Sequence, residues 1–586
     1  MKNGDNESCI MAHHNKYYII QEEKEMKKNS FNKIMAVSLA TTMILGLAGC
    51  GNTASTQEKT SENPSSAEST STVSSETVDV QESGVTFPLE EEMTFDIMVS
   101  GDENVDMEKC AFWQDLYEAT NVKINFIQIA SEGFMGTMNA MFAAKQEGDA
   151  IIAGGYVSEF DFSLMAGNGL LLALDEYIED TDIMPNFNER VLAESPETKG
   201  VIAFPDGNIY TLPRYDAFEA SYLESPIWIN KAWVDQLGKE LPTTLEELEE
   251  ILIAFRDNDM NGNGKTDDEI PYIFRNGSGY SHMEAILGLW GLATKDSSYE
   301  NYVYVEDGVV KFAPTSQAYK DAVTVLNRWY ENGLIWSECF TGTKETYSAK
   351  LTGELPLIGM YTDKLPPSTN SEDYVQLAPV KVEGYEPLWY VHPGRVGVKG
   401  QLSLTRSCEN PEVLMHWIDL FYTFKNTLRI TSGELEDGRY EMVEGKVNIL
   451  TLPADQKEAL KESAPTVNEY LRSHIPYAYT KEDYAERMVL SESNQLMQTS
   501  FDIYEEYLND EVWPRPYMKE EDTSRMSELR TDIFNTVAEK RAAWVTGVSD
   551  IDAEWDAYVE SINNMGLDEF LEIMQRTYDN YLAGQE

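Results

Sequence analysis

Strand-like and helix-like segments alternate in the region that follows the first ninety residues, and this alternation restricts the fold more than any other feature. Phe95–Val99 and Val122–Ile127 have the period-two pattern of strands, while Ala111–Thr120 between them has the spacing of a helix. A second helical pattern, Gly133–Ala144, precedes the short apolar run Ala150–Ala153. Such alternation predicts an α/β fold with a mostly parallel sheet covered by helices. Ligands of these sheets bind beyond the carboxyl ends of the strands, so the loops there are candidate sites.

The charge balance excludes most binding to nucleic acids and to anionic lipid surfaces. The 586 residues include 101 Asp and Glu against 45 Lys and Arg, which gives a formal net charge of -56. Such a surface repels phosphate groups, so nucleic acid is not expected as a partner. Aromatic residues make up 11% of the chain, which indicates folded cores rather than an acidic disordered polymer. The length corresponds to about three to four units of typical domain size.

The N-terminal region has the pattern of an export signal. Three lysines precede the apolar run Ile34–Ala48, which has the length of a signal peptide and is short for a membrane span. The run ends in Leu47-Ala48-Gly49-Cys50, which resembles the lipobox of bacterial lipoproteins. This resemblance implies that the Cys50 thiol receives a diacylglycerol lipid. Residues 1–49 are predicted to be the signal region, with Met26 as the true start.

A flexible tether is predicted to follow the lipidated cysteine. Residues 50–86 are rich in Ser, Thr and Glu and contain few apolar side chains, so they cannot form a core. A coil of this length has a root-mean-square span of about 30–36 Å, from roughly 5–6 Å times the square root of the residue number. The tether would hold the folded part away from a membrane surface.

A series of motifs points to one family of proteins. Asn230–Gly238 has the pattern NKxWxDxLG, and a helix start follows in which Thr243 or Thr244 can form a capping box with a Glu three residues on. Further motifs are DGNIYTLP at 206–213, KFAP at 311–314, NPE at 410–412, and C-terminal segments at 544–547, 554–555 and 565–568. In this order, the motifs resemble the family 1 extracellular solute-binding proteins of ABC transporters, in the branch of large lipoproteins for oligosaccharide uptake.

This resemblance implies a two-lobed fold of the type II periplasmic-binding-protein class. Each lobe is expected to contain a mostly parallel sheet flanked by helices, with extra helices at the C-terminus. The first lobe is expected to comprise residues 87–216 and about 400–440, and the second lobe residues 217–399 and about 441–586. The chain is expected to cross between lobes near residues 214–225 and 398–404.

The resemblance also implies the function. A monomer without enzymatic activity would capture a carbohydrate, in this branch an oligosaccharide, in the cleft between its lobes. It would pass this solute to ABC transporter permease subunits. Through its lipid alone it would be held on the outer face of the cytoplasmic membrane.

A loop after the capped helix has the composition of a calcium site, since oxygen-bearing side chains alternate around glycines. An EF-hand-like register would use Asp257, Asp259, Asn261, the Asn263 carbonyl and Asp268. A second register resembles the DxNGNGKxDE loop of the same family and uses Asp259, Asn261, Asn263, the Lys265 carbonyl, Asp267 and Asp268. We prefer the second register, although an extra acid, Glu269, leaves open which carboxylate is the last ligand. The calcium would be structural, and a metal-free polar turn is the alternative.

Loop aromatics and arginines near predicted strand ends are the candidate ligand-binding residues. Aromatic rings stack on the flat C–H faces of sugars, and polar groups fix the orientation. The candidates are Tyr156, Arg214, Tyr215, Trp290, Trp389, Tyr390 and Arg395. For each aromatic ring, packing in the core or at the hinge is the alternative, so Tyr156, Arg214, Trp389 and Arg395 are the strongest candidates.

Two other functional classes remain open from the sequence. A secreted glycosidase needs only two carboxylates about 5–10 Å apart, and 101 acidic residues cannot exclude such a pair by counting. However, the sequence contains no GxSxG nucleophile motif, and its five cysteines and six histidines form no recognisable metal or catalytic pattern. The other class is a surface protein that captures polysaccharide without a permease. A peptide or a lipid-like solute is also open.

The lipid anchor gives the first testable prediction. Cys50→Ala should release the protein from the membrane or leave it unprocessed, because no thiol remains to accept the lipid. Mass spectrometry of the mature N-terminus checks this. A wild-type chain that starts at Met1, or a soluble wild-type protein with an unmodified Cys50, would contradict both the anchor and the Met26 start.

Overall fold

The computed structural model describes residues 85–101, 107–152, 156–277, 279–293, 302–391, 395–471 and 474–583. The predicted signal region, Cys50 and nearly all of the predicted tether lie outside these residues. The described residues belong to one unit, Val85–Glu586.

The strands of the described residues fall into two main sheets and two hairpins. They are β1 Met93–Gly101, β2 Val122–Ala130, β3 Ala150–Ile152, β4 Leu212–Asp216, β5 Ile227–Asn230, β6 Ile270–Tyr272, β7 Val303–Glu306, β8 Val309–Phe312, β9 Ile358–Thr362, β10 Tyr374–Leu377, β11 Val396–Leu404, β12 Tyr440–Val443, β13 Lys446–Ile449 and β14 Tyr477–Tyr479. β7 pairs with β8 and β12 pairs with β13, each in an antiparallel hairpin.

The larger sheet is mostly parallel, as the alternating sequence pattern predicts, whereas two of the three strand pairings in the smaller sheet are antiparallel. Among the described strands, the larger sheet has the order β14-β4-β11-β3-β1-β2, and β11 is the antiparallel member. The smaller sheet has the order β10-β5-β9-β6, and β5 is the antiparallel member. The strand Tyr477–Tyr479 lies in the larger sheet, although it falls within the range that the sequence assigns to the second lobe. The lobe boundaries stay a prediction.

Helices cover both sheets. The α-helices are α1 Ala111–Thr120, α2 Phe134–Ala144, α3 Glu159–Gly167, α4 Asp175–Glu179, α5 Pro185–Phe187, α6 Glu197–Ile202, α7 Lys231–Gln236, α8 Leu245–Asp257, α9 Gln317–Glu331, α10 Lys344–Leu351, α11 Pro411–Asp419, α12 Phe424–Ser432, α13 Ala454–Ser463, α14 Val467–Leu471, α15 Glu492–Tyr504, α16 Glu520–Val545, α17 Ile551–Asn564 and α18 Leu567–Ala583. Short 3₁₀ segments include Glu219–Tyr222 and Met283–Trp290. Among the described residues, no helix is both long and apolar enough to span a bilayer.

The local sequence signals predict where several elements begin or end in the structure. The helix expected at Ala111–Thr120 has these ends in the structure. Thr244 caps α8, one of the two predicted caps: the Glu247 backbone N–H donates to Thr244 Oγ1 at 3.2 Å, while the Glu247 carboxylate accepts from the backbone N–H of Thr243, the residue before the cap, at 2.8 Å. These signals depend on neighbours a few residues apart, which is why the sequence predicts them well.

Three segments run side by side between the two sheets, and we call them the crossing. They are residues 217–226, residues 386–391 with Arg395, and residues 505–517, joined by bridges between Leu223 and Val391 and between Trp389 and Leu508. The backbone N–H of Trp389 donates to Tyr507 O at 2.7 Å, and its indole Nε1 donates to Glu224 O at 2.6 Å.

Each segment of the crossing contains a non-glycine residue in the left-handed region. The φ angles are 49° at Ser225, 49° at Arg395 and 56° at Arg515. Such backbone geometry persists only where surrounding contacts hold it. The crossing is therefore a place where the chain direction is fixed by tertiary contacts.

A close contact at Gly288 supports the crossing and gives the second prediction. A Cβ atom at Gly288 would lie 2.4 Å from Leu388 O and 2.6 Å from the Trp389 ring. Gly288→Ala should therefore lower the free energy of unfolding by about 1–3 kcal/mol through overpacking. Urea unfolding of both proteins measures the change.

Gly136→Ala is the matched control, because Gly136 lies in α2 and has no atom within 4 Å of the added Cβ. Alanine favours a helix over glycine by up to about 1 kcal/mol, so this variant should be as stable as the wild type or more stable. Equal unfolding midpoints for Gly288→Ala and Gly136→Ala would contradict the proposed close packing.

Candidate functional site

The carboxyl edges of both sheets border the first segment of the crossing. β4 ends at Asp216 and β5 begins at Ile227, so residues 217–226 alone connect the two sheets at this point. Ile227 pairs with Thr362, the last residue of β9, which brings the carboxyl end of β9 to the same place. Ligands of α/β sheets bind at such edges, and here two edges meet.

Aromatic and basic side chains line the edge of the larger sheet. Tyr156 follows β3 and is half-buried; its hydroxyl accepts from Ser131 Oγ at 3.0 Å, and its ring lies 5.0 Å from the His474 ring. The Arg214 guanidinium lies over the Tyr477 ring at 5.8 Å. The structure thus brings Tyr156 and Arg214 to the same edge as two residues that the sequence analysis missed, His474 and Tyr477.

A cluster of charged side chains joins the crossing to the larger sheet. The Arg395 guanidinium bonds to the Glu219 carboxylate, and Lys481 Nζ lies 3.0 Å from the same carboxylate. The hydroxyl of Tyr222 donates to Arg395 O at 3.0 Å. Burial opposes ionisation of Glu219, but the hydrogen bonds and charges of Lys481 and Arg395 prevail and lower its pKa. Glu219 is therefore held as a carboxylate.

The smaller sheet contributes Tyr280, Asp363 and Lys364. Lys364 Nζ donates to Ser221 O in the crossing and lies 4.9 Å from the centre of the Tyr280 ring. The Asp363 carboxylate accepts from the Lys364 backbone N–H at 2.7 Å. Burial raises the pKa of Asp363 to about 7, and this is the largest influence on it.

Four of the candidate ligand-binding residues are packed in the interior. Tyr215 is fully buried and donates its hydroxyl to Glu194 at 2.8 Å, while Trp290 is 2% exposed. Trp389 and Tyr390 are 3% and 4% exposed, and both bond to backbone carbonyls of the crossing. In this conformation all four rings are packed in the interior, which is the alternative to ligand binding that the sequence leaves open. The rings of Trp389 and Tyr390 stabilise the crossing.

Two cavities lie near the crossing. One has a volume of about 20 Å³, enough for a single water, and is lined in part by Glu224, His282 and Trp389. A wider groove of about 580 Å³ lies between α5, α12 and the loop after β14, and Arg190 and Phe424 line it. Neither volume includes Tyr156 or Arg214 among its lining residues.

The sequence analysis missed Tyr222, Tyr280, His474 and Tyr477, as well as Asp363 and Lys364. Asp363 directly follows β9, and Tyr280 lies in the Gly-rich loop that follows β6. The rule that ligands bind beyond strand ends could have found them in the second sheet. The position of Tyr477 depends on β14 pairing with β4, which no local signal predicts.

The predicted calcium loop is folded around its own polar groups. Asp259 Oδ2 accepts from Gly264 N at 2.8 Å, and Asn263 Oδ1 accepts from Lys265 N at 2.8 Å. The Asp268 carboxylate accepts from the side-chain amides of Asn261 and Asn263 at 3.3 and 2.7 Å. Asn261, Asn263 and Asp268 therefore meet at one point in the loop.

The Glu269 carboxylate has different hydrogen-bond partners from the Asp268 carboxylate. One of its carboxylate oxygens accepts from the Met260 backbone N–H at 2.8 Å, and the other is buried without a hydrogen-bond partner. Among the described residues, no group of three or more His, Cys, Asp and Glu side chains is placed to hold a metal. Any calcium here would thus need the two asparagines, which fits the preferred register, and oxygen ligands suit this cation.

The chain is similar to known solute-binding proteins. No family model matches it. The fructooligosaccharide ABC transporter substrate-binding protein FusA of Streptococcus pneumoniae is 27% identical over 583 residues, which are 96% of this chain and 100% of the relative. Lipoprotein LipO of Bacillus subtilis is 24% identical over 37% of this chain and 39% of its own length.

Solved structures show the same fold. FusA in complex with kestose superposes with a TM-score of 0.64 and 26% identity, covering 84% of this chain and 99% of FusA; another structure of FusA is described as an EF-hand mutant. A human-milk-oligosaccharide ("HMO") binding solute-binding protein of Bifidobacterium longum infantis has a TM-score of 0.70 at 22% identity and covers 84% and 99% of the two chains. The fold is therefore the two-lobed α/β fold of periplasmic-binding-like proteins.

The raised pKa of Asp363 gives the third prediction. An unfolded Asp has a pKa near 3.9, so between about pH 4 and 7 the folded protein binds more protons than the unfolded chain. The contribution of this group to stability is present at low pH and is lost as the pH rises to about 7. Asp363→Asn removes the charge, so its melting temperature should rise relative to the wild type between pH 5 and pH 8.

The exposed Asp532 on α16 provides a control for the same chemical change. Thermal melts of the wild type, Asp363→Asn and Asp532→Asn at the two pH values separate the effect of the buried Asp363 carboxyl from the general effect of an Asp-to-Asn change. If both variants track the wild type across this range, Asp363 is not held protonated by burial.

Proposed function

We propose that this chain, a solute-binding protein of the ABC-transporter type, holds an oligosaccharide between its two lobes and delivers it to membrane permease subunits. The observation that carries this proposal is the meeting of two sheet edges at the crossing, with tyrosines on both sides. The full-length similarity to FusA supports it, because that relative is named for fructooligosaccharide binding. FusA and the solute-binding protein of Bifidobacterium longum infantis are named as binding proteins, and this chain is a binding protein too.

The cleft walls follow from the same geometry. The first lobe offers Tyr156, Arg214 and Tyr477, the second lobe offers Tyr280, and Tyr222 lies between them on the crossing. The backbone carbonyl of Arg395 accepts from the Tyr222 hydroxyl, and its guanidinium bonds to Glu219. We propose the lobe division expected from the sequence, with Tyr477–Tyr479 assigned to the first lobe because β14 pairs with β4.

The remaining features belong to the same proposal. The lipobox and the similarity to LipO, which is named as a lipoprotein, support a lipid on Cys50 and a place on the outer face of the cytoplasmic membrane. The protein would act as a monomer, with the permease and the oligosaccharide as its partners. Calcium would tie down the loop at residues 259–268, and the EF-hand described for FusA supports this.

The binding site gives the fourth prediction. Tyr156→Ala and Tyr280→Ala should each weaken oligosaccharide binding at least several-fold, because an aromatic contact contributes about 0.5–1.5 kcal/mol beyond its buried area. Calorimetry with a panel of oligosaccharides, including fructooligosaccharides, measures the affinity. The control is Tyr117→Ala, whose ring lies on α1 and bonds to Glu92.

Trp389→Ala tests the assignment of the buried ring. Because Trp389 is 3% exposed, its removal should lower the free energy of unfolding by about 3–5 kcal/mol. Weaker binding by Trp389→Ala with unchanged stability would show that the ring does contact the ligand. Unchanged affinity in both Tyr156→Ala and Tyr280→Ala would place the ligand elsewhere, and turnover of a bound oligosaccharide would overturn the binding function.

Calcium gives the fifth prediction. Calcium at a hundredfold excess over its Kd should stabilise the protein by about 2.7 kcal/mol, so the melting temperature should fall when a chelator is added. Asp268→Asn should remove this difference, while Asp257→Asn should keep it if the preferred register holds. A loss caused by Asp257→Asn would favour the EF-hand-like register, and identical wild-type melts in chelator and calcium would contradict the site.

A further inference from the structure

We propose that the hairpin β12–β13 and the groove beside Phe424 form a surface through which the protein docks on the permease, an inference that rests on the function proposed above. It follows from where the described residues expose apolar side chains and from where the groove opens. The permease surface that fits this one carries apolar and basic side chains.

Exposed apolar side chains are concentrated on this hairpin. Half of the large apolar side chains that the described residues expose lie between residues 435 and 449, namely Leu435, Met442, Val443 and Ile449. Met442 is 51% exposed. Single exposed apolar side chains are common on soluble proteins, whereas a cluster of them marks a binding surface.

Strand pairing explains why part of the hairpin is apolar. Tyr440 pairs with Ile449 and Met442 pairs with Val447, so these four side chains lie on the same face of the hairpin. Tyr440 and Val447 are buried in a small core with Leu428, while Met442 and Ile449 are exposed beside them. The exposed side chains are thus the margin of a core that a partner can extend.

One edge of the hairpin is also open. On the β13 side, Val447 bridges Met488, and its carbonyl accepts from the Val489 backbone N–H at 2.8 Å. On the other side, β12 pairs with no strand of the described residues besides β13. An extended segment of a partner can therefore add to β12, which is a common way for proteins to bind peptides.

Carboxylates around the exposed apolar side chains define the chemistry of the partner. Residues 434–449 include five acidic and two basic residues. Glu436, Glu441 and Glu444 are exposed, and the described residues form no ion pair with any of them. Lys446 Nζ donates to a backbone carbonyl, that of Ala485, at 2.7 Å. The hairpin therefore attracts a partner with basic side chains.

The same charges disfavour two other occupants. A second copy of the chain, docked through the same surface about a two-fold axis, would place like carboxylates against each other. Anionic lipid heads would be repelled as well. An apolar centre with a charged rim is typical of interfaces between proteins that associate and separate, as delivery to a permease requires.

Phe424 connects the hairpin to the groove of about 580 Å³. Its ring packs against the small core of the hairpin and lies 5.3 Å from the Arg487 guanidinium, and both residues line the groove. Three acidic and three basic residues are among the lining residues, so the groove itself is balanced in charge. A groove of this volume can accept a protruding side chain or a turn of a partner loop.

The position of the groove favours the permease as the partner. Thr480 and Glu482 line the groove and directly follow β14, so the groove opens beyond the carboxyl end of this strand. Lys481, between them, reaches the crossing, where its Nζ lies 3.0 Å from the Glu219 carboxylate. A protein seated in the groove therefore lies beside the border of the proposed cleft, which a permease that receives the solute has to approach.

The test measures binding of the purified full chain, with oligosaccharide bound, to the permease subunits encoded beside its gene and held in lipid nanodiscs. Met442→Ser combined with Ile449→Ser removes apolar contacts and should weaken this binding at least about tenfold, as expected where exposed apolar side chains become buried in an interface. Glu441→Lys should also weaken it and should make the affinity less dependent on salt, because an attractive charge is reversed.

Each change has a matched control. Val548→Ser combined with Leu582→Ser makes the same substitution at exposed apolar side chains near the C-terminus. Glu118→Lys is matched to Glu441→Lys, because each carboxylate is exposed and accepts from one neighbouring side-chain amide. All variants should keep the wild-type melting temperature and the wild-type oligosaccharide affinity in calorimetry.

The outcomes separate the docking surface from the proposed function. Permease binding that the hairpin variants leave unchanged, or that the controls weaken equally, overturns this surface and leaves oligosaccharide binding and delivery standing. A wild-type dimer in sedimentation that the hairpin variants dissociate assigns the surface to a second copy and overturns it too. Oligosaccharide binding without any permease binding by the wild type overturns delivery, and the docking surface with it.

Discussion

The hydrogen bond from the Trp389 indole to the Glu224 carbonyl joins two of the three segments that connect the sheets, and the backbone of Trp389 bonds to the third. Truncation of a buried tryptophan costs about 3–5 kcal/mol, so this one side chain contributes much to how the sheets are connected. Ser225 on the first segment and Arg395 on the second adopt left-handed backbone angles that the surrounding contacts must hold. Extended connecting segments of this kind are where domain closure takes up backbone rotation.

The candidate site is a consequence of this crossing. Because the first segment leaves β4 and enters β5 within ten residues, the carboxyl edges of both sheets lie beside it. Tyr222 comes from the crossing itself, Tyr280 from the smaller sheet and Tyr477 from the larger one. These three tyrosines come from separate parts of the sequence, and in the proposed function they contact one ligand, because aromatic rings suit the flat faces of sugar rings.

The large negative charge and the local charge balance have different physical roles. Most of the 101 acidic side chains serve solvation, since a strongly charged surface keeps an exported protein soluble. Near the crossing, however, carboxylates such as Glu219 and Glu159 each face a basic residue at close range. Screening removes distant charges from the energetics of binding but leaves such close, half-buried pairs in place. The local electrostatics beside the crossing are thus set by a few pairs and not by the total charge.

The sequence by itself determined the features that depend on near neighbours. Helix α1 has its predicted ends, Thr244 caps α8, and the alternating segments form a mostly parallel larger sheet, because apolar spacing and capping act within a few residues. Tertiary structure alone decided that Trp389 is buried whereas Tyr156 is half-buried, and that Tyr477 joins Arg214. Burial and strand pairing depend on contacts between residues more than a hundred positions apart, and no local pattern in one sequence records which distant segments will meet.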